Sequence, residues 1–146
     1  MWKWANVPIP VQHLLGLILG AILQLVLGQK LFGAPWIGDS IGLLLIAIGI
    51  GLSGWSVREA GDTEIEAPTK LLTSGPYSLS RNPMYIAWSL LYLGIAMVAN
   101  SLWMAALLPV VVAFTHFVDV RKEERFLENQ FGDEYLQYKG RVRRYF

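Results

Sequence analysis

Three long stretches without a charged side chain constrain this chain more than any other feature. Lys3 and Lys30 are separated by 26 uncharged residues, Asp39 and Arg58 by 18, and Arg81 and Asp119 by 37. A helix rises about 1.5 Å per residue, and about 20 apolar residues cross a bilayer once. The third stretch is long enough for two crossings. The pattern predicts helices over Val11–Leu27, residues 40–57, Pro83–Val98 and residues 102–118. The last two form a hairpin turning at Ala99, Asn100 and Ser101, with Pro109 kinking the fourth helix. Composition agrees: 16% of residues are charged, against about 25% in a soluble domain. The expected fold is a single domain over residues 1–146, an all-α integral membrane protein with four transmembrane helices and a cytoplasmic helical tail. There are no repeats and no strand-like alternation. The absence of cysteine excludes disulfides, thiolate metal sites and cysteine nucleophiles, and two histidines leave little for a zinc site. No metal is expected.

Four crossings put both ends on one side. That side would hold Lys3, three basic residues between 58 and 81, and seven after residue 118, while the opposite side holds only Lys30. Eleven against one is a strong positive-inside bias. It predicts cytoplasmic termini and a cytoplasmic middle loop, in the cytoplasmic membrane of a prokaryote. The amino end has Lys3 as its only positive charge and no convincing small-residue cleavage site, so it reads as a retained span. A net charge of +1 gives no reason to expect nucleic acid. Membrane lipids and a lipophilic small molecule are the expected partners; oligomeric state has no signature. Gly16-x-x-x-Gly20 and Ala47-x-x-x-Gly51 allow close helix contact. His13 and Gln24 read as interfacial or interhelical hydrogen-bonders rather than catalysts.

Two polar stretches then meet on the cytoplasmic side. The first runs K-L-L-T-S-G-P-Y-S-L-S-R-N-P-M-Y from Lys70 to Tyr85. Gly75-Pro76 is a turn signal, and Asn82-Pro83 places an N-cap residue before a proline at the first helical position. A connecting loop with capping residues explains Asn82 and Pro83 equally well. Arg81, beside a membrane mouth and flanked by Tyr77 and Tyr85, is suited to hold an anion. The second stretch predicts a helix over residues 119–131 ended by Gly132, then a short helix carrying Tyr135 and Tyr138. Phe117, Val120, Glu124, Leu127 and Phe131 share one face by spacing, which leaves Glu124 inside an apolar stripe. A carboxylate there needs a partner. Pairing with Arg121, Lys122 or Arg125 on the solvated side suits Glu123 better than Glu124. The closing R-V-R-R reads either as a site for anionic headgroups or as a plain topology signal.

G-P-Y-x-x-x-R-N-P-x-Y, a hydrophobic hairpin, and E-E-x-x-L-x-x-x-F-G-x-x-Y-x-x-Y follow one another in this order. Together they resemble the integral-membrane methyltransferases, which include isoprenylcysteine carboxyl methyltransferase and the phospholipid N-methyltransferases. The resemblance covers roughly residues 61–145. It implies S-adenosylmethionine as methyl donor, bound without a Rossmann fold, and no G-x-G-x-x-G is present. It assigns Lys70, Leu71, Leu72, Tyr77, Asn82, Pro83, Met84 and Tyr85 to the cofactor-facing loop and helix start. Glu123 and Glu124 take the place of the family's acidic pair. The prenylcysteine enzymes usually carry histidine where this chain has Asn82, so a proton-transfer role does not carry over to that position.

The donor's chemistry matches these residue types. A glutamate can take ribose hydroxyls or the amine, an arginine the carboxylate, and a tyrosine the adenine or the sulfonium. Arg81, Tyr85 and Glu124 are therefore the candidate catalytic residues, with Asp119 and His116 as candidate substrate-binding residues. His116 is the histidine placed for a base, should the acceptor arrive protonated, with capping or interhelical bonding as its alternative. One turn before Glu123, where prenylcysteine enzymes carry an arginine, stands Asp119. An aspartate repels a carboxylate acceptor and suits an amine-bearing one, or pairs with Arg121 or Lys122. The expected activity is methyl transfer to a lipophilic acceptor: a lipid amine, an isoprenoid-linked carboxylate or another small lipophilic nucleophile. The rival readings are an NADPH-dependent membrane reductase of the sterol-reductase type and a non-catalytic membrane subunit.

Overall fold

The structure, a computed structural model, describes residues 10–61, 63 and 68–145. Lys3, counted in the charge bias, lies outside the described residues. Helix α1, Val11–Leu27, closes on Gly28 in the left-handed conformation, where a glycine is favoured. Helix α2, Pro35–Ala60, begins five residues earlier than the charge pattern implies, because Pro35 sits in its first turn. The exposed Asp39 lies inside that helix. A charge limits where apolar surroundings end, not where a helix ends. A 3-10 turn, Gly75–Ser78, leads to α3, Pro83–Val98.

Ser101 caps α4, Leu102–Phe114, by accepting a hydrogen bond from the Met104 N–H at 3.2 Å. Pro109 lies inside α4, which continues through it. The expected break near residue 118 is absent. A π-helical segment, Thr115–Val120, joins α4 directly to α5, Arg121–Phe131, in one helix spanning Leu102–Phe131. A π segment inserts an extra residue into the turn and shifts everything before it in phase. Phe117, expected on the inner stripe, is accordingly 57% exposed, while Val120 is fully buried. Helix α6, Asp133–Arg141, buries Tyr135 and Tyr138.

Glycines set the helix packing. A Cβ on Gly16 would lie 2.5 Å from a Val111 methyl, and one on Gly20 2.8 Å from the Met104 Cα, so α1 lies tightly on α4. Helices α2 and α3 meet at Gly42 and Gly94, each of whose added Cβ would come 2.7 Å from the other's carbonyl oxygen. The expected Ala47-x-x-x-Gly51 contact is not made. Both residues face outward, and Gly38, Gly42 and Gly49 supply the close face instead. Interhelical bonding by His13 and Gln24 of α1 holds: His13 Nε2 meets the Ser89 hydroxyl at 3.2 Å, and Gln24 accepts from Ser101 at 2.9 Å.

Among the described residues two helices, Pro35–Ala60 and Leu102–Phe131, are long and apolar enough to cross a membrane by length and composition. The apolar α1 and α3 packed beside them have 17 and 16 residues. The outward surface is strongly apolar, with Leu25, Trp36, Leu44 and Val110 all more than 60% exposed. A surface of that kind needs a cover. At one end of the bundle Asn100, with φ of 47°, makes the expected turn. Its side chain accepts from the Leu31 and Phe32 N–H groups at 3.1 and 2.7 Å and donates to the Phe32 carbonyl at 3.0 Å. The other end gathers the start of α1, the 3-10 turn, the start of α3 and all of α5 and α6.

Candidate active site

The loop before α3 is shaped by its own turn residues and then clamped by the far end of the chain. Gly75 takes φ of 57°, Pro76 opens the 3-10 turn, and Ser78 bonds back to the Gly75 carbonyl at 2.7 Å. Residues 142–145 return across this loop as a strap. The Arg81 N–H donates to the Arg143 carbonyl, and both the Ser80 hydroxyl and the Asn82 amide donate to the Arg144 carbonyl, each at 3.0 Å. Asn82 holds the N-cap position but spends its side chain on the strap rather than on α3.

Charge locks the same junction. Arg144 grips Glu124 through two hydrogen bonds of 2.8 Å, Nε to Oε1 and Nη2 to Oε2. Arg81 Nη1 approaches Glu124 Oε1 at 2.9 Å and donates to the Tyr135 hydroxyl at 3.0 Å. Burial would raise the Glu124 carboxyl, but the Arg144 hydrogen bonds and the charges of Arg81 and Arg144 outweigh it and hold the group below its ordinary range. Tyr138 donates to the Tyr77 carbonyl at 2.6 Å, and burial pushes both phenols up. His116 meets the Tyr145 hydroxyl at 2.8 Å.

Beside this lock lies a cavity of about 390 Å³, within the range of small-molecule sites. Tyr77, Arg81, Asn82, Pro83, Met84, Tyr85, Asp119 and Glu123 all reach its wall, so the structure brings most of the expected residues together. Four residues of the wall each carry a buried polar atom for which the described residues supply no hydrogen-bond partner: the Tyr77 hydroxyl, Arg81 Nε, Trp88 Nε1 and Asp119 Oδ2. An unpartnered buried polar group is costly, and four of them occur in residues that line this one cavity.

Five expected residues stand elsewhere. Lys70, Leu71 and Leu72 are off the wall, with Lys70 exposed to solvent. Glu124 stands off the wall, its carboxylate taken by two guanidinium groups. His116 is engaged by the strap, and the histidine on the wall is His13. Trp88, Lys122 and Phe126 also line the cavity and were not singled out from sequence. Trp88 falls at i+3 from Tyr85 and Phe126 at i+3 from Glu123, so helical spacing from the recognised motifs would have found both.

The chain matches the phospholipid methyltransferase family over residues 39–134, about two thirds of its length. It belongs to the phospholipid methyltransferase family. That span contains the cavity wall from Pro68 through Leu127, and leaves out the part contributed by residues 10–13. Among curated proteins, it is 33% identical over 130 residues to the cobalt-zinc-cadmium resistance protein CzcN of Cupriavidus metallidurans. That match covers 86% of this chain and 60% of CzcN. It is 31% identical over 78 residues to the nickel-cobalt-cadmium resistance protein NccN of Alcaligenes xylosoxydans xylosoxydans, covering 53% of this chain and 36% of NccN. The chain thus spans less than two thirds of either relative. No solved structure matches it. Phospholipid methyltransferase family members generally use S-adenosylmethionine. The wall fits that group by residue chemistry: Asp119 and Glu123 are anions for an amine and a sulfonium, Arg81 is a cation for a carboxylate, and Tyr77 and Trp88 are aromatic side chains for the adenine or the sulfonium.

Proposed function

We propose that this chain transfers a methyl group from S-adenosylmethionine to an amine-bearing lipophilic acceptor in a membrane. All four apolar helices cross it on this reading, with both termini in the cytoplasm. The observation that carries the proposal is the gathering of Tyr77, Arg81, Tyr85, Trp88, Asp119 and Glu123 on the wall of one cavity, at the polar end of an apolar helix bundle. Bound there, S-adenosylmethionine would supply an electrophilic methyl group for an in-line displacement. Glu123, Arg81 and Tyr77 would hold the donor. Trp88, Phe126 and Leu127 exclude water from the wall, and positioning in a dry site supplies much of the rate in such displacements. Asp119, on the wall, would take the proton that an ammonium acceptor must lose before its nitrogen can attack. An aspartate in that place disfavours a carboxylate acceptor.

The relatives' printed names concern resistance to cobalt, zinc, cadmium and nickel. On this reading a change in membrane composition is how a methyltransferase would serve such a task. The test is label transfer from methyl-labelled donor by the purified chain in lipid vesicles. A phosphatidylethanolamine-type lipid is compared with a farnesylcysteine analogue. The expected result is transfer to the amine, reduced at least tenfold by Asp119→Ala. Efficient carboxyl methylation, undiminished by Asp119→Ala, would overturn the amine assignment.

A further inference from the structure

Outside the cavity, a second and shallower groove of about 310 Å³ lies on the outer side of the long helix, where its apolar part gives way to charge. Phe117, Arg121 and Arg125 form one row at four-residue spacing, and Val118, Lys122 and Phe126 form the row beside it. Arg121, Lys122 and Arg125 are exposed, and among the described residues none makes an ion pair with a carboxylate. The Arg121 guanidinium lies 4.7 Å from the centre of the Phe117 ring, which leaves its outer edge open. The apolar rows continue in the other direction: Val110 is 63%, Phe114 52% and Val118 45% exposed. One continuous outward strip therefore changes from bare apolar side chains to three cations within about two helical turns.

We infer that this strip is a binding site for an anionic phospholipid. The phosphate sits between Arg121 and Arg125, with Lys122 beside it, and the acyl chain lies along Phe114 and Phe117. Charge complementarity selects the headgroup, and the bare apolar row selects a lipid over free phosphate. This rests on the membrane reading above but not on the methyl-transfer reading: Lys122 and Phe126 border both spaces, but Arg121 and Arg125, which hold the phosphate, do not touch the cavity. Of the closing R-V-R-R, the Arg144 guanidinium is spent on Glu124, while Arg141 and Arg143 are exposed.

The experiment is native mass spectrometry of the full, delipidated chain in detergent, titrated with phosphatidylglycerol or phosphatidylcholine. Wild type is expected to retain one phosphatidylglycerol at least tenfold more strongly than phosphatidylcholine. Arg121→Gln with Arg125→Gln should abolish that preference, because each cation near a headgroup is worth roughly a fivefold change. Arg141→Gln with Arg143→Gln should keep it. Raising the ammonium acetate concentration should weaken the wild-type preference, a readout that needs no variant to fold. Equal retention of the two lipids, or a preference that survives in the Arg121/Arg125 variant, overturns the site. Displacement of the lipid by low-millimolar inorganic phosphate would show a site for free phosphate and also overturns it. A chain that stays soluble without detergent would sink the membrane reading instead, which separates the two failures.

Discussion

Glu124 holds a single negative charge between two guanidinium groups, with its side chain 10% exposed and that of Arg81 8%. Removing the anion leaves two cations facing one another in a nearly dry space. Breaking a buried pair costs about 3–5 kcal/mol, and the 31% exposure of Arg144 moves the expectation to the lower end. Glu124→Gln should therefore lower the thermal unfolding midpoint of the purified protein. Because the folded carboxyl is held below its ordinary 4.5, its stabilisation is present above that pH and lost as pH falls through the folded value. Wild type should lose stability on acidification below about pH 4.5, and that part of the pH dependence should vanish in Glu124→Gln. An unchanged midpoint at neutral pH would contradict the lock. The need for a partner was legible in the sequence, since a glutamate stood on an apolar stripe. Its partner was not, because Arg144 lies 20 residues on, in a run of similar arginines.

At the scale of elements, close backbone approach sets how α2 and α3 meet at Gly42 and Gly94. A Cβ on Gly94 runs into the Gly42 carbonyl oxygen, which has no rotamer to yield with, whereas one on Gly51 meets nothing within 4 Å. Gly94→Val should destabilise by at least the roughly 1–3 kcal/mol of core overpacking. Gly51→Val should have little effect on packing. Thermal unfolding in one detergent compares them, and equal shifts would contradict the assigned faces. The limits of α1 and α3 could be read from sequence because charge-free runs and turn residues coincide there. The start of α2 could not, since Asp39 lies within the helix. The α4–α5 junction was misread for a different reason: a π segment leaves no breaker in the sequence, yet it rotates Phe117 off the inner stripe.

Across the whole molecule, the start of α1, the loop before α3, and α5 with α6 converge at one end, and the basic residues lie almost all there. Reporter fusions after Phe146 and within residues 30–37 should report opposite sides of the membrane, with the former in the cytoplasm. Reports from the same side would contradict four crossings. Motif spacing was enough to point to this end of the molecule. It could not separate Glu123, which faces the cavity, from Glu124, which faces the strap, because neighbouring residues differ by only about 100° of helix turn. The central claim is that this cavity binds S-adenosylmethionine through Glu123. Calorimetric titration of the folded, purified protein with the donor tests it most directly. The account predicts saturable one-to-one binding, weakened at least tenfold in Glu123→Gln and unchanged in Arg125→Gln. Binding that is absent in the wild type, or equally strong in Glu123→Gln, would contradict it.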